Sequence, residues 1–512
     1  MTSGTSTQLN LATYFLDARL EQGAGHRVAI REASRTHTYR QVAAASARMA
    51  HVLEAEGIRP EERVIIALPD GAAFVESLFA VLRSGAVVVM VNPDSPVELL
   101  TYFCEYTRAG AVVLAGTHAS IFHDAVRNMA RPPRLLNLDD HQMVRAREQA
   151  VTMHHPFPSH ADDAAIWLFS GGTTGRPKAV VQTNRSFANT TELYGKGVLG
   201  LTPDDITLSV PKLFFGYALG SNVFFPFSVG ASCVLFPERS TPDTVLAAIT
   251  RHRPTVLITV PTMVQQMVSH QSAASYDLSS LRLATSAGEA LPAQLYARWQ
   301  ETFGVELLDG LGTAEMWHIF LSNRPGQVVP GTLGHVVPGF EVKLCDGDGR
   351  EVPDGEVGAL WVKGDSRAIA YWQRMDETMR AFQGEWYVSG DMLRKNADGT
   401  FVYCGRADDM LKVSGKWLAP GELENCLLQH GQVREVAVVG VTNADGLVKP
   451  CAFVVSDAPS PALAAELQEF AKSRLEPYKY PRDIVFVDSL PRTHLGKVDR
   501  HALAASQRVK AD

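Results

Sequence analysis

The feature that constrains this chain most is a loop of glycine and hydroxyl residues that directly follows an apolar run. Residues 165–169 (AIWLF) predict a buried strand, and residues 170–178 (SGGTTGRPK) follow it. Glycines allow backbone N–H groups to surround phosphate oxygens, hydroxyls add donors, and Arg176 and Lys178 supply positive charge. A Walker A loop is excluded because Pro177 separates the two cations and the required spacing is absent. The pattern predicts an anion-binding loop rather than a surface linker.

The composition is that of a globular enzyme built from several units. The chain has 512 residues, of which 46% are hydrophobic and 20% charged, and its formal net charge is −7. This length is too great for one core and predicts several packed units. The negative charge, and the lack of a basic patch interleaved with aromatic residues, disfavour nucleic acid as a partner.

Cysteine usage and hydropathy bear on where the protein works. The six cysteines are scattered with no C-x-x-C pair, which predicts reduced thiols. The N-terminal residues lack the basic and apolar segments of a signal peptide, and the most apolar stretch, 74–91, is interrupted by Glu76 and Arg83. We therefore expect a cytoplasmic enzyme with no membrane association.

In the N-terminal part of the chain, apolar strands alternate with amphipathic helices. Residues 63–68 and 86–91 predict strands on either side of a helix over 71–83. Thr241 carries the signals of an N-cap for a helix that ends at His252. This βαβ rhythm predicts mostly parallel sheets with ligands at the carboxyl ends of the strands.

The rhythm changes over about residues 331–406. Segments in which apolar and polar residues alternate are followed there by Asp-Gly pairs, which begin at 354 and 398. This pattern predicts antiparallel strands joined by hairpins and a barrel-like structure. A short α/β unit follows. We place the domain boundary between a large domain, 1–406, and a small domain, 407–512.

A histidine-rich stretch, residues 154–160 (HHPFPSH), raises the question of a metal site. No further ligand lies nearby in sequence, and the two prolines favour irregular backbone. The interpretation is therefore a plain connector.

The loop at 170–178 resembles the phosphate loop of the adenylate-forming superfamily, which contains acyl-CoA synthetases, luciferases and peptide-synthetase adenylation domains. Further matches extend from about Thr38 to Lys497, nearly the whole chain. The resemblance implies an α/β fold with a large N-terminal domain of two stacked α/β sheets plus an antiparallel β-barrel subdomain. It also implies a small, mobile C-terminal α+β domain.

The chemistry that the resemblance implies brings two anions together, a carboxylate and the α-phosphate of ATP, and so needs cations and oriented donors. Lys497, in the run 491–497 (PRTHLGK), matches the lysine that bridges the two anions. Glu315 matches the glutamate that helps to hold Mg²⁺ on the phosphates. Thr173 and Lys178 of the loop complete the expected catalytic set.

Asp391 matches the aspartate that accepts both ribose hydroxyls, Arg406 also reaches the ribose, and residues 286–289 resemble the adenine wall. The full set that the resemblance assigns to ATP and AMP is Ser170, Gly171, Gly172, Thr174, Gly175, Ser286, Ala287, Gly288, Glu289, Asp309, Gly310, Leu311, Gly312, Thr313, Asp391 and Arg406.

Asp408 corresponds to the hinge at which the small domain reorients after adenylation, since a few residues can absorb such a torsion change. The face presented to coenzyme A is then expected to contain Lys412, Ser414, Gly415 and Lys416. The two lysines also suit ordinary solvated positions.

Three positions depart from the superfamily pattern. The usual threonine before the metal-binding glutamate is Ala314, the glycine after the loop lysine is Ala179, and a later histidine is Asn184. The key lysine, glutamate and aspartate remain, so we expect activity.

The acid substrate is indicated by residues 211–220 (PKLFFGYALG), which contain no carboxylate to pair with an α-ammonium group. A buried ammonium without a partner is costly, so α-amino acids are disfavoured. Together with residues 316–323 (MWHIFLSN), this segment closely resembles benzoate–CoA ligases. The acid-binding set that this implies is Phe215, Gly216, Tyr217, Ala287, Gly312, His318 and Ile319.

Benzoate ligases usually have alanine where this chain has Gly216, which suggests room for a ring substituent. The favoured substrate is 2-aminobenzoate (anthranilate), followed by benzoate. The leading hypothesis is an ATP-, Mg²⁺- and coenzyme A-dependent aryl-CoA ligase. The alternatives are loading of a separate carrier protein and a catalytically silent ligand-binding relative. A monomer and a homodimer are both compatible with the sequence.

Overall fold

A computed structural model describes residues 7–171, 176–413, 416–442, 448–492 and 498–508. The strands in these ranges are β1 Val28–Arg31, β2 Thr36–Thr38, β3 Arg63–Ala67, β4 Val87–Met90, β5 Ala111–Leu114, β6 Arg134–Asn137, β7 Ala164–Ser170, β8 Lys178–Thr183, β9 Ile206–Ser209, β10 Ser232–Val234, β11 Val256–Thr259, β12 Leu283–Ser286, β13 Leu307–Gly312, β14 Ile319–Ser322, β15 His335–Val336, β16 Glu341–Cys345, β17 Val357–Lys363, β18 Ala370–Tyr371, β19 Phe382–Gln383, β20 Trp386–Lys395, β21 Phe401–Arg406, β22 Leu411–Val413, β23 Lys416–Leu418, β24 Glu435–Thr442, β25 Val448–Val455 and β26 Asp483–Phe486.

The α-helices of the same ranges are α1 Ala18–Glu21, α2 Tyr39–Ala55, α3 Ala72–Arg83, α4 Val97–Thr107, α5 Ala119–Val126, α6 His141–Gln149, α7 Asn184–Thr190, α8 Gly216–Leu219, α9 Phe225–Val229, α10 Pro242–His252, α11 Pro261–Val268, α12 Ala293–Phe303, α13 Met375–Ala381, α14 Pro420–Leu427, α15 Pro461–Lys472 and α16 Arg500–Arg508. Short π segments lie at Thr13–Asp17, Thr191–Lys196 and Gly220–Phe224, and 3₁₀ turns at Ala24–His26, Gly116–His118, Ala273–Ser275, Ala314–Met316 and Ala407–Asp409. No helix within the described ranges is both long and apolar enough to cross a membrane.

Two large sheets, parallel through most of their strands, make up the N-terminal part. One has the strand order β18-β8-β7-β4-β3-β5-β6 and the other β15-β14-β13-β12-β11-β9-β10-β1-β2. The predicted βαβ unit is confirmed as β3, α3 and β4. Thr241 caps α10 as expected, because its side chain accepts the backbone N–H of Thr244 in a capping box.

One continuous hydrophobic core joins the two sheets. It contains Ile66 and Val88 from the first sheet, Ile258 and Leu308 from the second, and the fully buried Phe79 of α3. Burial on this scale is the main stabilising contribution to a chain of this size. The carboxyl ends of β7, β12 and β13 carry the predicted site residues, as expected for α/β sheets.

The antiparallel part expected after residue 331 is a five-stranded sheet with the order β16-β17-β20-β19 and β21 beside β20. All of its pairings are antiparallel. Further along, β24, β25 and β26 form a sheet covered by helices, with hydrophobic clusters drawn only from residues after 410. These clusters are consistent with a separate C-terminal unit, and the boundary at 406 stays a prediction.

Candidate active site

The predicted phosphate loop connects two antiparallel strands. β7 ends at Ser170, which pairs with Lys178 at the start of β8. Gly171 and Arg176 are exposed at the two ends of the loop. The guanidinium of Arg176 lies 5.2 Å from the ring centre of Tyr102, whose hydroxyl donates to the Pro177 carbonyl over 2.7 Å. Gly172, Thr173, Thr174 and Gly175 lie outside the described residues.

Lys178 is held by a carboxylate and an aromatic ring. Its Nζ lies 3.1 Å from Glu377 Oε2, on α13, and 3.8 Å from the ring centre of Tyr371. Its side chain is only 18% exposed. Cation–π attraction and the ion pair together fix the ammonium beside the end of the phosphate loop.

Tyr371 also donates to Glu315, and sequence reasoning missed this contact. The hydroxyl is 2.8 Å from Glu315 Oε1, and both residues are buried. Burial, and then the charge of Glu315, raise the pKa of Tyr371, so its hydroxyl stays protonated and keeps donating. Lys178, Tyr371 and Glu315 thus form one cluster, although 193 positions separate Lys178 from Tyr371.

Glu315 sits in a 3₁₀ turn at the end of β13. Thr313 caps this turn, because its side chain accepts the Met316 backbone N–H over 3.2 Å. A buried carboxylate held by a single hydroxyl is a hard oxygen ligand, and Mg²⁺ is commonly bound by one or two carboxylates plus substrate phosphates. The donor set therefore fits the metal expected from the sequence.

Asp391 and Arg406, the predicted ribose contacts, lie side by side on β20 and β21. Asp391 Oδ1 is 3.4 Å from the Arg406 guanidinium and 3.3 Å from the Tyr403 hydroxyl. Ser389 donates to the other oxygen over 2.5 Å. Burial opposes the charge of Arg406, yet its pKa is raised, because Asp391 favours the charged form. The carboxylate is thus oriented by three donors on one face of the sheet.

The predicted adenine side is built from the ends of β12 and β13. Ser286 pairs with Asp309 across these strands. Asp309 Oδ1 and Ser286 Oγ are buried, and the Ser286 hydroxyl lies close enough to the Asp309 carboxyl to oppose part of the effect of burial on its pKa. Burial raises the pKa of Asp309 well above its usual value. A buried carboxyl and a hydroxyl at adjacent strand ends thus offer polar groups to a ligand on the predicted adenine side.

A cavity of about 180 Å³ opens beside this position. Its lining includes Asp309, Leu291 and Tyr403 from the N-terminal part, and Asn425 and Gln429 from the C-terminal part. Of the other residues expected here, Ala287 is buried, Gly288 has a φ of +91°, and Glu289 accepts the Thr262 hydroxyl over 2.7 Å.

His318 is the central polar residue of the predicted acid pocket. Its Nε2 lies 3.1 Å from the Tyr217 carbonyl and 3.1 Å from Ser221 Oγ. A carbonyl only accepts, so Nε2 carries the proton. Burial lowers the pKa of His318 to about 3. The ring is therefore neutral, and its buried Nδ1 is an acceptor with no partner among the described residues.

Aromatic rings surround this imidazole. The ring centres of Tyr194, Tyr217 and Phe225 lie 5.6, 5.3 and 4.7 Å from that of His318. The Tyr217 hydroxyl lies 2.6 Å from Thr285 Oγ1 on β12, which links the acid side to the predicted adenine side. Tyr194 and Phe225 were not among the predicted residues, because only the fold brings them to His318.

A strained turn positions His318. Trp317 has a φ of +67° and a ψ of −54°, and the His318 N–H donates to the Met316 carbonyl over 2.8 Å. This is a γ-turn of the rare type with positive φ, a conformation found mainly where the surroundings impose it. Gly312 faces the turn, and a Cβ there would lie 2.4 Å from the His318 carbonyl oxygen. Only glycine fits this approach.

Gly216 lies against filled space. A methyl group at this position would be 3.1 Å from Leu168 Cδ1 and 3.4 Å from Trp317 Cζ3. A methyl group there would therefore be in tight contact with Leu168, so the absence of a side chain at 216 relieves crowding at this point. Ile319 is buried on β14, while Phe215 is 38% exposed.

The residues expected at the hinge and at the coenzyme A face lie along one segment. Asp408 falls in the 3₁₀ turn Ala407–Asp409, and Lys412 is exposed on β22. Ser414, Gly415 and Lys497 lie outside the described residues, as does the side chain of Lys416.

Of the three departures from the superfamily pattern, only Asn184 makes its contact through its own side chain. Asn184 donates to the His160 carbonyl over 3.0 Å at the start of α7. The Ala314 carbonyl accepts from Gln182 Nε2 over 2.7 Å, and the Ala179 carbonyl accepts from the Trp372 backbone. The last two contacts use backbone carbonyls, so nothing among the described residues explains the alanine side chains at these two positions.

Comparisons with known families agree with this fold. The AMP-binding enzyme family matches residues 16–372, and the AMP-binding enzyme C-terminal domain matches residues 422–497. The chain belongs to the AMP-binding enzyme family.

Several characterised relatives are similar over nearly the full chain. A 4-hydroxybenzoate–CoA/benzoate–CoA ligase of Rhodopseudomonas palustris is 36% identical over 504 residues, 96% of this chain and 93% of the relative. The crystal structure of the anthranilate CoA ligase AuaEII in complex with anthranoyl-AMP has a TM-score of 0.95 and 34% identity, and the match covers 100% of both chains. A benzoate CoA ligase from Burkholderia xenovorans has a TM-score of 0.88 and 39% identity, with 97% and 99% covered.

Proposed function

We propose that this protein is an AMP-forming aryl-CoA ligase. A benzoate-class carboxylate attacks the α-phosphate of ATP, pyrophosphate leaves, and the coenzyme A thiol then displaces AMP to give an aryl-CoA thioester. The observation that carries this proposal is the cluster of aromatic rings around the buried, neutral His318 imidazole, in a chain whose relatives are named as ligases of aryl acids.

The first half-reaction is limited by repulsion between carboxylate and phosphate. Lys178 is already placed beside the phosphate loop, and Lys497 is proposed to bridge the two anions. Mg²⁺ held by Glu315 would offset phosphate charge, and Tyr371 keeps the Glu315 carboxylate oriented. Preorganised charges of this kind are commonly the largest contribution to catalysis.

For the second half-reaction we propose that residues after 406 reorient about Asp408. Asp408 lies in a short 3₁₀ turn between β21 and β22, where few side chains pack and a torsion change disturbs little. The exposed Lys412 would then belong to the face presented to coenzyme A.

The ring substituent is proposed to be an ortho amino group. His318 Nδ1 is a buried acceptor that an aryl amine N–H can satisfy, whereas benzoate leaves it unpaired. An unpaired buried acceptor costs about 1–3 kcal/mol, which corresponds to about 5- to 150-fold discrimination. The solved relative with bound anthranoyl-AMP supports the same choice.

The test is an assay of the purified protein with benzoate, 2-aminobenzoate and the hydroxybenzoates. Aryl-AMP, pyrophosphate and aryl-CoA are measured with coenzyme A, with a phosphopantetheinylated carrier protein, and with neither. Coenzyme A-dependent AMP release with an aryl acid supports the proposal. Release that requires the carrier protein would favour the carrier-loading alternative, and no activation of any acid would favour a silent relative.

A further inference from the structure

The histidine-rich connector is not isolated from other ligands once the chain is folded. His154 lies between α6 and β7, while His51 and Glu54 lie one turn apart on α2. The fold brings all three together, so that their ligand atoms lie within 4.8 Å of one another. Sequence spacing concealed the cluster, because His154 is 100 positions from Glu54.

Glu54 lies between the two imidazoles. Its Oε1 is 2.8 Å from His154 Nε2, and its Oε2 is 3.5 Å from His51 Nδ1. Metal–ligand bonds of about 2.1 Å in a tetrahedral arrangement separate neighbouring ligand atoms by about 3.4 Å. Small side-chain rotations, together with a shift of the His154 proton from Nε2 to Nδ1, would therefore allow one ion to contact all three residues.

The tautomer of the His51 imidazole is the one that a metal-binding residue needs. Its Nε2 is 2.8 Å from the Met153 carbonyl, which only accepts, so Nε2 carries the proton. The lone pair of His51 is then on Nδ1, toward Glu54. A carbonyl that fixes the tautomer and the ring plane is the usual outer partner of a metal-binding histidine.

The connector is held in place without a metal. The His154 carbonyl accepts from Arg83 over 3.1 Å, and Arg83 is paired with Asp17 at 2.5 Å. The His154 side chain is 6% exposed, and its Nδ1 is buried with no partner in the described part of the chain. His51 and Glu54 are 32% and 52% exposed, which leaves a path for an ion and room for water ligands.

We propose that His51, Glu54 and His154 form a binding site for Zn²⁺ or a similar late first-row divalent ion. Two imidazoles and one carboxylate suit such ions, whereas Mg²⁺ prefers an all-oxygen set. The site is separate from Glu315 and does not depend on the proposed ligase activity. Its effect is to tie α2 to the connector that precedes β7.

The test uses the untagged, full-length, metal-free protein with excess Mg²⁺ and no nucleotide. Zn²⁺ binding is measured by calorimetry, and Co²⁺ binding by visible absorption. Wild type should bind one ion per chain and gain thermal stability. Loss of a residue that only hydrogen-bonds to a metal ligand often lowers metal affinity about 10–100-fold. Removal of a ligand itself should therefore weaken Zn²⁺ binding at least about 10-fold.

The informative variants are Glu54→Gln and His51→Ala, since both side chains are partly exposed and the fold should tolerate the change. His154→Ala is the third variant. The matched control is His155→Ala, an exposed histidine in the same connector. Loss of binding in the first two variants with retention in the control supports the site. Failure of wild type to bind one ion, or equal binding by all variants, overturns it.

Discussion

Replacing Tyr371 by Phe removes a single hydroxyl from the centre of the candidate site and leaves the ring in place. That hydroxyl donates to the buried Glu315 carboxylate over 2.8 Å. The contact between Lys178 and the ring, at 3.8 Å, should survive the change. Any effect therefore reports the loss of one donor to Glu315.

The expected magnitude follows from the partner's charge. A hydrogen bond to a charged group contributes about 1.5–3 kcal/mol, and each 1.36 kcal/mol is a factor of ten in rate. Tyr371→Phe should therefore lower kcat/KM for acid-dependent pyrophosphate–ATP exchange by about 10- to 150-fold. The Mg²⁺ concentration for half-maximal exchange should rise as well, since Glu315 is the proposed metal ligand.

The matched control is Tyr39→Phe. Its hydroxyl is equally buried but donates to a neutral acceptor, the Ala231 carbonyl, over 2.6 Å. That loss should reduce stability by about 0.5–1.5 kcal/mol and leave exchange unchanged. If Tyr371→Phe matched this control in both kcat/KM and Mg²⁺ dependence, the assigned role of Tyr371 would be refuted.

Two further changes probe the acid side. Gly312→Ala places a methyl group against the His318 backbone carbonyl. The free energy of unfolding should therefore fall by about 1–3 kcal/mol, and KM for the acid should rise. The control is Gly347→Ala, because a methyl group at that position meets open space. Burial lowers the pKa of His318 to about 3 in the folded chain, whereas its ordinary value, which applies to the unfolded chain, is 6.5. As the pH falls, the unfolded state therefore takes up a proton first, and stability is lost. Wild-type Tm should therefore decline between pH 6.5 and 4 more steeply than that of His318→Gln; parallel profiles would contradict a buried neutral imidazole.

Local signals made much of the fold predictable from the sequence. Thr241 and the proline after it specify a helix start within a few residues, and the apolar run before Ser170 specifies a strand. The assignment of Gly312 and His318 to the acid side came from the resemblance of residues 316–323 and their neighbours to benzoate–CoA ligases, and it stays a prediction. Family resemblance then supplied the roles that spacing alone leaves open.

Contacts between distant segments were not predictable in this way. Tyr371 reaches Glu315 across 56 positions, and nothing in its neighbourhood distinguishes it from any other buried tyrosine. The same reason concealed Ser221 beside His318 and the cluster of His51 with His154. The strained Trp317 was equally hidden, since a tryptophan gives no sequence signal for positive φ.

The most direct test of the account is the effect of Lys497→Ala on the two half-reactions. Removing a group that stabilises developing charge typically costs about 10²–10³ in rate. We expect acid-dependent pyrophosphate–ATP exchange to fall by that amount, while thioester formation from pre-made aryl-AMP and coenzyme A persists. Lys472→Ala, an exposed lysine on α15, should leave both rates unchanged. Undiminished exchange in Lys497→Ala would contradict the central claim that this lysine brings the carboxylate and the α-phosphate together.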